Sequence, residues 1–382
     1  MITLPTLDGG LRDHTPRGPV TWTRPAAPPR SRIAFAAAHV VADPLGDNGP
    51  GAPAVVDWDS TLGFRRHLWS YGLGVAEAMD TAQRGMGLDW ATTRELIRRS
   101  SAEAKDLGAR IAAGAGTDHS DATTLDEVVR AYSEQFDVVQ EAGAQVIVMA
   151  SRHLARLACG PADYRHVYDR LLPNAAAPVI LHWLGPVFDP ALEGYWGSSD
   201  VDTATAAFLD LVHAHADHVD GVKVSLLDAE HERSLRAKLP AGVRLYTGDD
   251  FNYPELIKGD GTSASDALLG IFAAIAPAAS HALRALDDGD LAAYDAAFAP
   301  TLPLARHVFG SPTYYYKTGI AFLAWLSGLQ PGFSMVGGLQ SARSLPHLAE
   351  TYVLADEAGL LPDPELAEHR LSSLLDVYGV VR

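Results

Sequence analysis

The stretch Gly221-Val222-Lys223-Val224 places one lysine inside a short run that is otherwise apolar. A run of this length is typical of a buried strand in a parallel sheet, where helices cover both faces. Lysine is seldom buried without a partner or a chemical task. The stretch therefore predicts a strand and makes Lys223 the most informative side chain of the sequence.

Seven further apolar runs accompany this one, and amphipathic stretches with helical spacing separate them. In chain order the eight runs are residues 32–38, 74–78, 110–115, 145–149, 178–181, 221–224, 244–246 and 268–274. The helical patterns between them include residues 90–107, 124–141, 164–172, 203–215 and 230–239. Eight strands that alternate with helices predict the α/β class and a closed (β/α)₈ TIM barrel.

The regions on either side of these runs differ from the barrel in composition. Residues 1–32 are rich in Pro, Gly and Arg, and we expect an irregular N-terminal arm with one short strand at residues 1–4. Residues 33–280 hold the predicted barrel, and residues 281–382 carry only helical patterns. The first of these C-terminal helices could close the barrel, and the others could pack beside it or form an oligomer contact.

Composition excludes several classes of partner. Over 382 residues the net charge is −17, which argues against nucleic acid and against an anionic membrane surface. Hydrophobic residues make up 47% of the chain, enough for a large core, yet no apolar run is long enough to span a membrane. A single cysteine excludes an intrachain disulfide, and the N-terminus lacks a signal-peptide pattern. We expect a cytoplasmic protein.

Barrels of this type build their active sites at the C-terminal ends of the strands. The polar residues at or just after the predicted strands are therefore the site candidates. They are His39, Glu77, Asp80, Thr81, Gln83, Arg84, Asp118, His119, Ser151, Arg152, His153, His182, Trp183, Lys223, Ser225, Thr247, Asp249 and Asp250.

Lys223 supports two interpretations. Burial lowers the pKa of a lysine, and a neutral amine can attack a carbonyl group to form a Schiff base. The alternative is a structural ion pair with a carboxylate such as Glu77 or Asp249. Residue type and position alone leave both open.

The strand-end histidines support a second kind of chemistry. Together with nearby carboxylates they could hold a divalent metal that polarises a carbonyl group. The alternative ligand set is His39, Glu77, His119 and His182. Three further histidines, His213, His215 and His218, fall on or after a predicted helix and are interpreted as a solvated helix end.

The segment around Lys223 resembles the dihydrodipicolinate synthase / N-acetylneuraminate lyase family. The resemblance rests on Gly221-Val222-Lys223, Asp228 and the later Val243-Arg244-Leu245-Tyr246-Thr247-Gly248-Asp249-Asp250. In that family a Gly-[Ile/Val]-Lys strand is followed, about two dozen residues on, by an apolar strand and a Gly-Asp-Asp turn. The resemblance implies a (β/α)₈ barrel with C-terminal helices, no cofactor, a homo-oligomer, and Lys223 as the Schiff-base lysine.

Two departures from the family pattern concern the substrate. The family's Gly-Thr-Thr-Gly-Glu-type turn, which binds a keto acid carboxylate, corresponds to residues 78–87, where Asp80 would repel a carboxylate and Arg84 could bind one. The family's tyrosine after strand four is absent from Ala150-Ser151-Arg152-His153. The departures indicate a divergent branch, of the kind catalogued as a domain of unknown function.

The sequence thus predicts a class I aldolase or lyase that acts on a keto acid or keto sugar. Lys223 would form the imine, and His153 or His182 would move protons, since a histidine pKa is near neutrality. The predicted substrate-binding residues are Asp80, Thr81, Arg84, Arg152, Thr247 and Asp249. The alternatives are a metal-dependent sugar lyase or isomerase and a non-catalytic, sugar-binding barrel.

The aromatic cluster Tyr314-Tyr315-Tyr316-Lys317 follows the predicted barrel. It could cover the pocket mouth or fill an interface, and packing alone also explains it.

Overall fold

A closed barrel of eight parallel strands lies at the centre of the molecule. The structure, a computed structural model, describes residues 1–18 and 20–380. The strands are β1 (Ile2–Pro5), β2 (Leu11–His14), β3 (Ala34–Ala37), β4 (Gly74–Glu77), β5 (Ile111–Ala115), β6 (Gln145–Val148), β7 (Val179–Leu184), β8 (Val219–Ser225), β9 (Arg244–Thr247) and β10 (Asp266–Leu269). Strands β3 to β10 pair in sequence order, and β10 closes onto β3. The predicted (β/α)₈ barrel is confirmed.

Helices surround the barrel and form the C-terminal region. They are α1 (Trp58–Ser70), α2 (Trp90–Leu107), α3 (Leu125–Glu141), α4 (Arg152–Leu157), α5 (Pro161–Leu171), α6 (Val201–Ala214), α7 (Ala229–Arg236), α8 (Tyr253–Lys258), α9 (Phe272–Asp287), α10 (Leu291–Phe298), α11 (Thr301–Val308), α12 (Tyr316–Leu326), α13 (Leu345–Glu357) and α14 (Pro364–Val377). No helix in the described part of the chain is long and apolar enough to cross a membrane.

The eighth strand begins and ends earlier in the chain than the sequence predicts. The sequence predicts a strand at residues 268–274, whereas β10 ends at Leu269 and α9 begins at Phe272. Alanine favours helix, so the alanine-rich end of that run starts α9 instead of extending β10. Helix α9 follows the last strand and packs against β3, beside the β10–β3 pairing that closes the barrel.

Helix α3 begins as the sequence predicts. The Thr124 hydroxyl accepts from the Glu127 amide, and the Glu127 side chain accepts from the Thr124 amide. This reciprocal pair satisfies two of the free amides at the helix start.

The N-terminal arm is more regular than predicted. Strand β1 covers the expected short strand, but it pairs with a second strand, β2, that the sequence analysis missed. The hairpin is held against α13 by Arg12, which donates to Glu350, and by His14, which contacts Asp356. Residue 19 of the arm and residues 381–382 of the C-terminal region lie outside the described residues.

Large apolar side chains fill the barrel interior up to one end. Phe35, Ile147, Ile180, Tyr246 and Leu268 pack together inside the barrel and are buried. Polar side chains replace this packing at the C-terminal ends of the strands, which leaves room there for a cavity.

Candidate active site

Lys223 points into the barrel at its C-terminal end. Strand β8 pairs with β7 and β9 so that Lys223 lies between His182 and Tyr246. Paired residues of parallel strands share a face, and Tyr246 belongs to the interior packing, so Lys223 faces the interior too. Its neighbours Val222 and Val224 pack on the helix side of the sheet.

The Lys223 amine is buried, and none of the residues that the structure describes pairs with it. The residue is 7% exposed, and in the described part of the chain its amine makes no hydrogen bond and no ion pair within 4.0 Å. Burial lowers the pKa of Lys223, and the charges of Asp80 and Asp250 oppose that shift. Neither of the two carboxylates that the sequence suggests as ion-pair partners forms an ion pair with Lys223. Glu77 binds Arg65, and Asp249 accepts from the amides of residues 251 and 252.

A small cavity of about 10 Å³ lies beside the amine. Its polar lining consists of Asp80, Thr81, Lys223, Ser225, Asp250 and Tyr316. Gly248 keeps this space open, because a Cβ atom there would collide with the Ser225 hydroxyl and lie 3.0 Å from Lys223 Cε. A glycine at this position of the Gly-Asp-Asp turn therefore lets the turn pack closely against Ser225 and Lys223.

Asp250, not Asp249, is the aspartate of this turn that lines the cavity. One Asp250 carboxylate oxygen accepts from the Ile271 amide at 2.8 Å. Burial raises the pKa of Asp250, and the nearby Lys223 charge counteracts the rise. A buried amine and a buried carboxyl in one cavity can share a single proton.

The C-terminal region contributes a tyrosine to the cavity. The Tyr316 hydroxyl lies 2.7 Å from Thr81 Oγ1, and both residues are buried. Gly270 seats the ring, since a Cβ there would approach it to 3.0 Å. Burial raises the pKa of Tyr316 well above its usual value, so its hydroxyl keeps its proton. Tyr316 thus covers the cavity from above, whereas Lys317 lies outside its lining with its amine 3.1 Å from Met86 Sδ.

His182 is a neutral neighbour of the lysine. Its Nε2 lies 3.3 Å from Ser225 Oγ, and its buried Nδ1 has no partner among the described residues. Burial, and next the Lys223 charge, lower the pKa of His182 well below its usual value. At neutral pH the imidazole of His182 is therefore neutral. It can donate or accept a hydrogen bond with a substrate, but it holds no extra proton to give to one.

A larger cavity of about 190 Å³ adjoins the first. Both cavities are lined by Asp80 and Leu184, and the larger one also reaches His182. Its far wall carries a chain of three polar groups: Thr117 Oγ1 lies 2.6 Å from Ser151 Oγ and 3.0 Å from His153 Nδ1. Burial lowers the pKa of His153, which favours the neutral imidazole.

The two arginines of this larger cavity are already paired. Arg84 binds Asp118 and donates to Gln135 at 2.7 Å and to the Gly114 carbonyl at 2.7 Å. Arg152 donates from Nε to Asp189 at 2.5 Å. The predicted role of Arg84 as an anion ligand has little support in this geometry, because its guanidinium is used inside the protein.

Two predicted substrate-binding residues do not line either cavity. The Thr247 hydroxyl donates to Glu232 of α7 at 2.9 Å, on the outer side of the barrel. Asp249 accepts from Asn252 Nδ2 at 2.9 Å in addition to the two amides already named, and so fixes the turn after β9. Thr247 and Asp249 therefore support neighbouring parts of the protein. Asp250 lines the cavity in the position that the sequence predicts for them.

The structure does not bring the alternative metal ligands together. His39 Nε2 contacts Gln330 Oε1 at 2.7 Å, Glu77 binds Arg65, and His119 Nε2 contacts Glu134 at 2.9 Å. No group of three or more His, Cys, Asp or Glu residues suited to a metal occurs within residues 1–18 and 20–380.

The other predicted histidine group lies at the end of α6, as expected, but it is only partly solvated. His213 is exposed, whereas His215 is largely covered and contacts Asp169 at 2.6 Å.

Ser225 and Asp250 are among the strand-end candidates but receive no role from the sequence, and Tyr316 is not among those candidates. Ser225 follows Lys223 by two positions, so strand alternation alone would have placed it on the same face. Asp250 is the last residue of the Gly-Asp-Asp turn, so the motif itself points to it. Tyr316 belongs to the aromatic cluster for which coverage of the pocket mouth was one interpretation.

Comparison with known proteins gives a family and a fold. The family model described as "Protein of unknown function (DUF993)" matches residues 2–380. No curated protein matches the sequence.

Solved dihydrodipicolinate synthases have a similar structure. The enzyme from Thermotoga maritima superposes with a TM-score of 0.62 at 14% identity, covering 87% of this chain and 100% of that one. The enzyme from Bacteroides thetaiotaomicron gives 0.62 at 15% identity, with 84% and 97% covered, and that from Aquifex aeolicus gives 0.59 at 14%, with 91% and 98% covered. At this identity the likeness shows a common fold, which agrees with the resemblance seen around Lys223.

Proposed function

For this chain, which belongs to the DUF993 family of proteins of unknown function, we propose a class I aldolase or lyase activity with Lys223 as the Schiff-base residue. The observation that supports it most is the buried Lys223 amine, which lacks a partner among the described residues and faces a cavity at the C-terminal end of the barrel. Burial lowers its pKa and so increases the neutral, nucleophilic fraction.

The first step forms the imine. The neutral Lys223 nitrogen attacks the substrate carbonyl carbon, and the carbonyl oxygen, which gains two protons in all, leaves as water. The hydroxyl groups of Tyr316 and Ser225 line the cavity where that oxygen departs. Asp250, which shares the cavity with the amine, accepts or returns the lysine's proton.

The second step breaks a carbon–carbon bond beside the imine. The hydroxyl group on the β carbon, which is the second carbon from the imine carbon, gives up its proton. The bond between the α and β carbons then breaks, and its electron pair neutralises the iminium as an enamine. Asp80 is the candidate base, because its side chain lines both cavities and so lies where a substrate spanning them would be cut. An aldehyde leaves; the enamine takes up a proton at carbon, and water releases the second product from Lys223.

Reductive trapping tests the proposal. The protein is incubated with hydroxyacetone, pyruvate or fructose, reduced with borohydride, and digested for peptide mass spectrometry. The chain has five lysines, Lys105, Lys223, Lys238, Lys258 and Lys317, so an adduct is readily assigned. We expect a reduced adduct on Lys223 with at least one of these compounds.

Two variants make the test decisive. Lys223→Met should abolish the adduct and reduce turnover on the order of 10³-fold or more. Lys238→Met, which removes an exposed lysine, should behave like the wild-type protein. An adduct confined to Lys317, or none with any of the three compounds, would overturn the proposal.

A further inference from the structure

We infer that the substrate is an uncharged hydroxy ketone with a hydroxylated tail, not a 2-keto acid and not a sugar phosphate. The inference rests on the proposed Schiff-base function of Lys223 and adds the class of substrate. It follows from the charges, the free polar groups and the size of the two adjoining cavities.

The cavity beside Lys223 is unsuited to a carboxylate. Lys223 is the only cationic residue among the described residues that line it, and its single charge, as ammonium or iminium, already faces Asp80 and Asp250. Asp80 and Asp250 line the same cavity, so a substrate carboxylate next to the reacting carbonyl would face two carboxyl groups. Repulsion between like charges is strong at a buried site. A hydroxymethyl group instead finds hydroxyl partners in Thr81 and Tyr316.

Both arginines that line the larger cavity already pair with a carboxylate. Arg84 is paired with Asp118 and Arg152 with Asp189, and Asp80 adds a further carboxylate. The side chain of Arg152 is 53% exposed at the rim, where water screens its charge. The balance of charge along this cavity therefore disfavours an anionic tail.

The same cavity is rich in groups that bind hydroxyls. Thr117, Ser151 and His153 form a connected chain along one wall. His182 also lines this cavity; it is 1% exposed, and its Nδ1 has no hydrogen-bond partner within the described residues. A buried polar atom left without a partner is costly, and a substrate hydroxyl would relieve that cost.

The sizes of the two cavities place the tail. The larger cavity measures about 190 Å³, whereas the cavity beside Lys223 measures about 10 Å³, which is room for about one water-sized group. The hydroxylated tail therefore fits the larger cavity, and only the carbonyl end of the substrate lies beside Lys223.

The trapping rate at Lys223 with four probes tests this inference. We expect hydroxyacetone to be trapped at least about tenfold faster than pyruvate, and fructose faster than fructose 6-phosphate. Faster trapping of pyruvate or of the phosphate on Lys223 would overturn the substrate class and leave the Schiff-base proposal standing. No adduct on Lys223 with any probe would instead overturn the Schiff-base proposal itself.

A variant of the far wall separates the tail from the reacting carbonyl. Thr117→Val combined with His153→Phe should slow the trapping of fructose about fivefold or more, because two hydroxyl partners are lost. Trapping of hydroxyacetone, which has no tail, should not change. Glu193→Gln, at an exposed position near the cavity, is the matched control and should alter neither rate. Equal slowing of both ketones would show that the wall acts on folding and would overturn the assignment of the tail cavity.

Discussion

Arg65 and Lys223 are both buried cations near the barrel, and they differ in their partners. Arg65 of α1 donates two hydrogen bonds to Glu77, at 2.7 and 2.8 Å, and two more to the carbonyls of His39 and Thr61. Lys223 has none of this support in the described residues and faces a cavity instead. Burial alone therefore does not indicate chemistry; a buried charge without a partner, next to space for a ligand, does.

The largest expected difference between the two regions is in stability. Glu77→Gln leaves the Arg65 charge buried and poorly paired, which should cost about 3–5 kcal/mol in the free energy of unfolding. Lys223→Met should cost nothing or stabilise the protein, because it removes an unpaired buried amine. Denaturant unfolding measures both.

The control for this pair is Glu103→Gln, whose partner Arg66 is half exposed. This change should lower stability by less than about 1 kcal/mol. If Lys223→Met destabilises the protein as much as Glu77→Gln, the lysine is structural and the contrast between the two regions fails.

The second prediction concerns the proton of Lys223. The charges of Asp80 and Asp250 favour the ammonium, whereas burial lowers the pKa of Lys223. Asp250→Asn removes one favourable charge, so the pKa of Lys223 should fall by about one unit or more. The pH dependence of hydroxyacetone trapping should shift to lower pH by that amount.

Glu255→Gln is the matched control for this shift, because Glu255 is an exposed carboxylate on α8 paired with Arg233. Its pH profile should match that of the wild-type protein. A shift of the Asp250→Asn profile to higher pH would mean that the carboxyl group does not act on the amine as the geometry indicates.

Much of the barrel was predictable because its signals are local. All eight apolar runs overlap their strands, and only the last is clearly displaced along the chain; α2 occupies the residues predicted for it. Asp89 caps the start of α2, and Gly108, at φ +62°, ends it in the left-handed conformation that glycine tolerates. The hairpin of the arm was missed because β2 is short and lacks alternating apolar residues.

The site was less predictable because its signals depend on the fold. Which aspartate of the Gly-Asp-Asp turn faces Lys223 is decided by the turn, in which Asp249 binds the next backbone amides. Tyr316 reaches the cavity only because α12 packs over the barrel mouth, far from Lys223 in sequence. The sequence predicts Arg84 as an anion ligand because it does not show that Asp118 already binds the guanidinium group.

The smallest expected effect concerns Glu232, a third buried ionisable residue, which lines neither of the two cavities. It accepts from Thr247 and Ser265, at 2.9 and 2.8 Å, and burial raises its pKa to about 8 from an ordinary 4.5. The unfolded chain loses this proton near pH 4.5, whereas the folded protein keeps it to about pH 8. The stabilisation is therefore complete below pH 4.5 and is lost as the pH rises toward 8.

Glu232→Gln, which stays neutral, should remove this part of the pH dependence. Between pH 6 and 7.5 the wild-type protein should lose roughly 1 to 2 kcal/mol relative to the variant, as measured by denaturant unfolding. Trapping at Lys223 should be unchanged, because a buried carboxyl without a neighbouring cavity has no substrate to meet. If the variant instead loses trapping, the link from Glu232 through Thr247 reaches the site, and Thr247 regains the role in the active site that the sequence predicted.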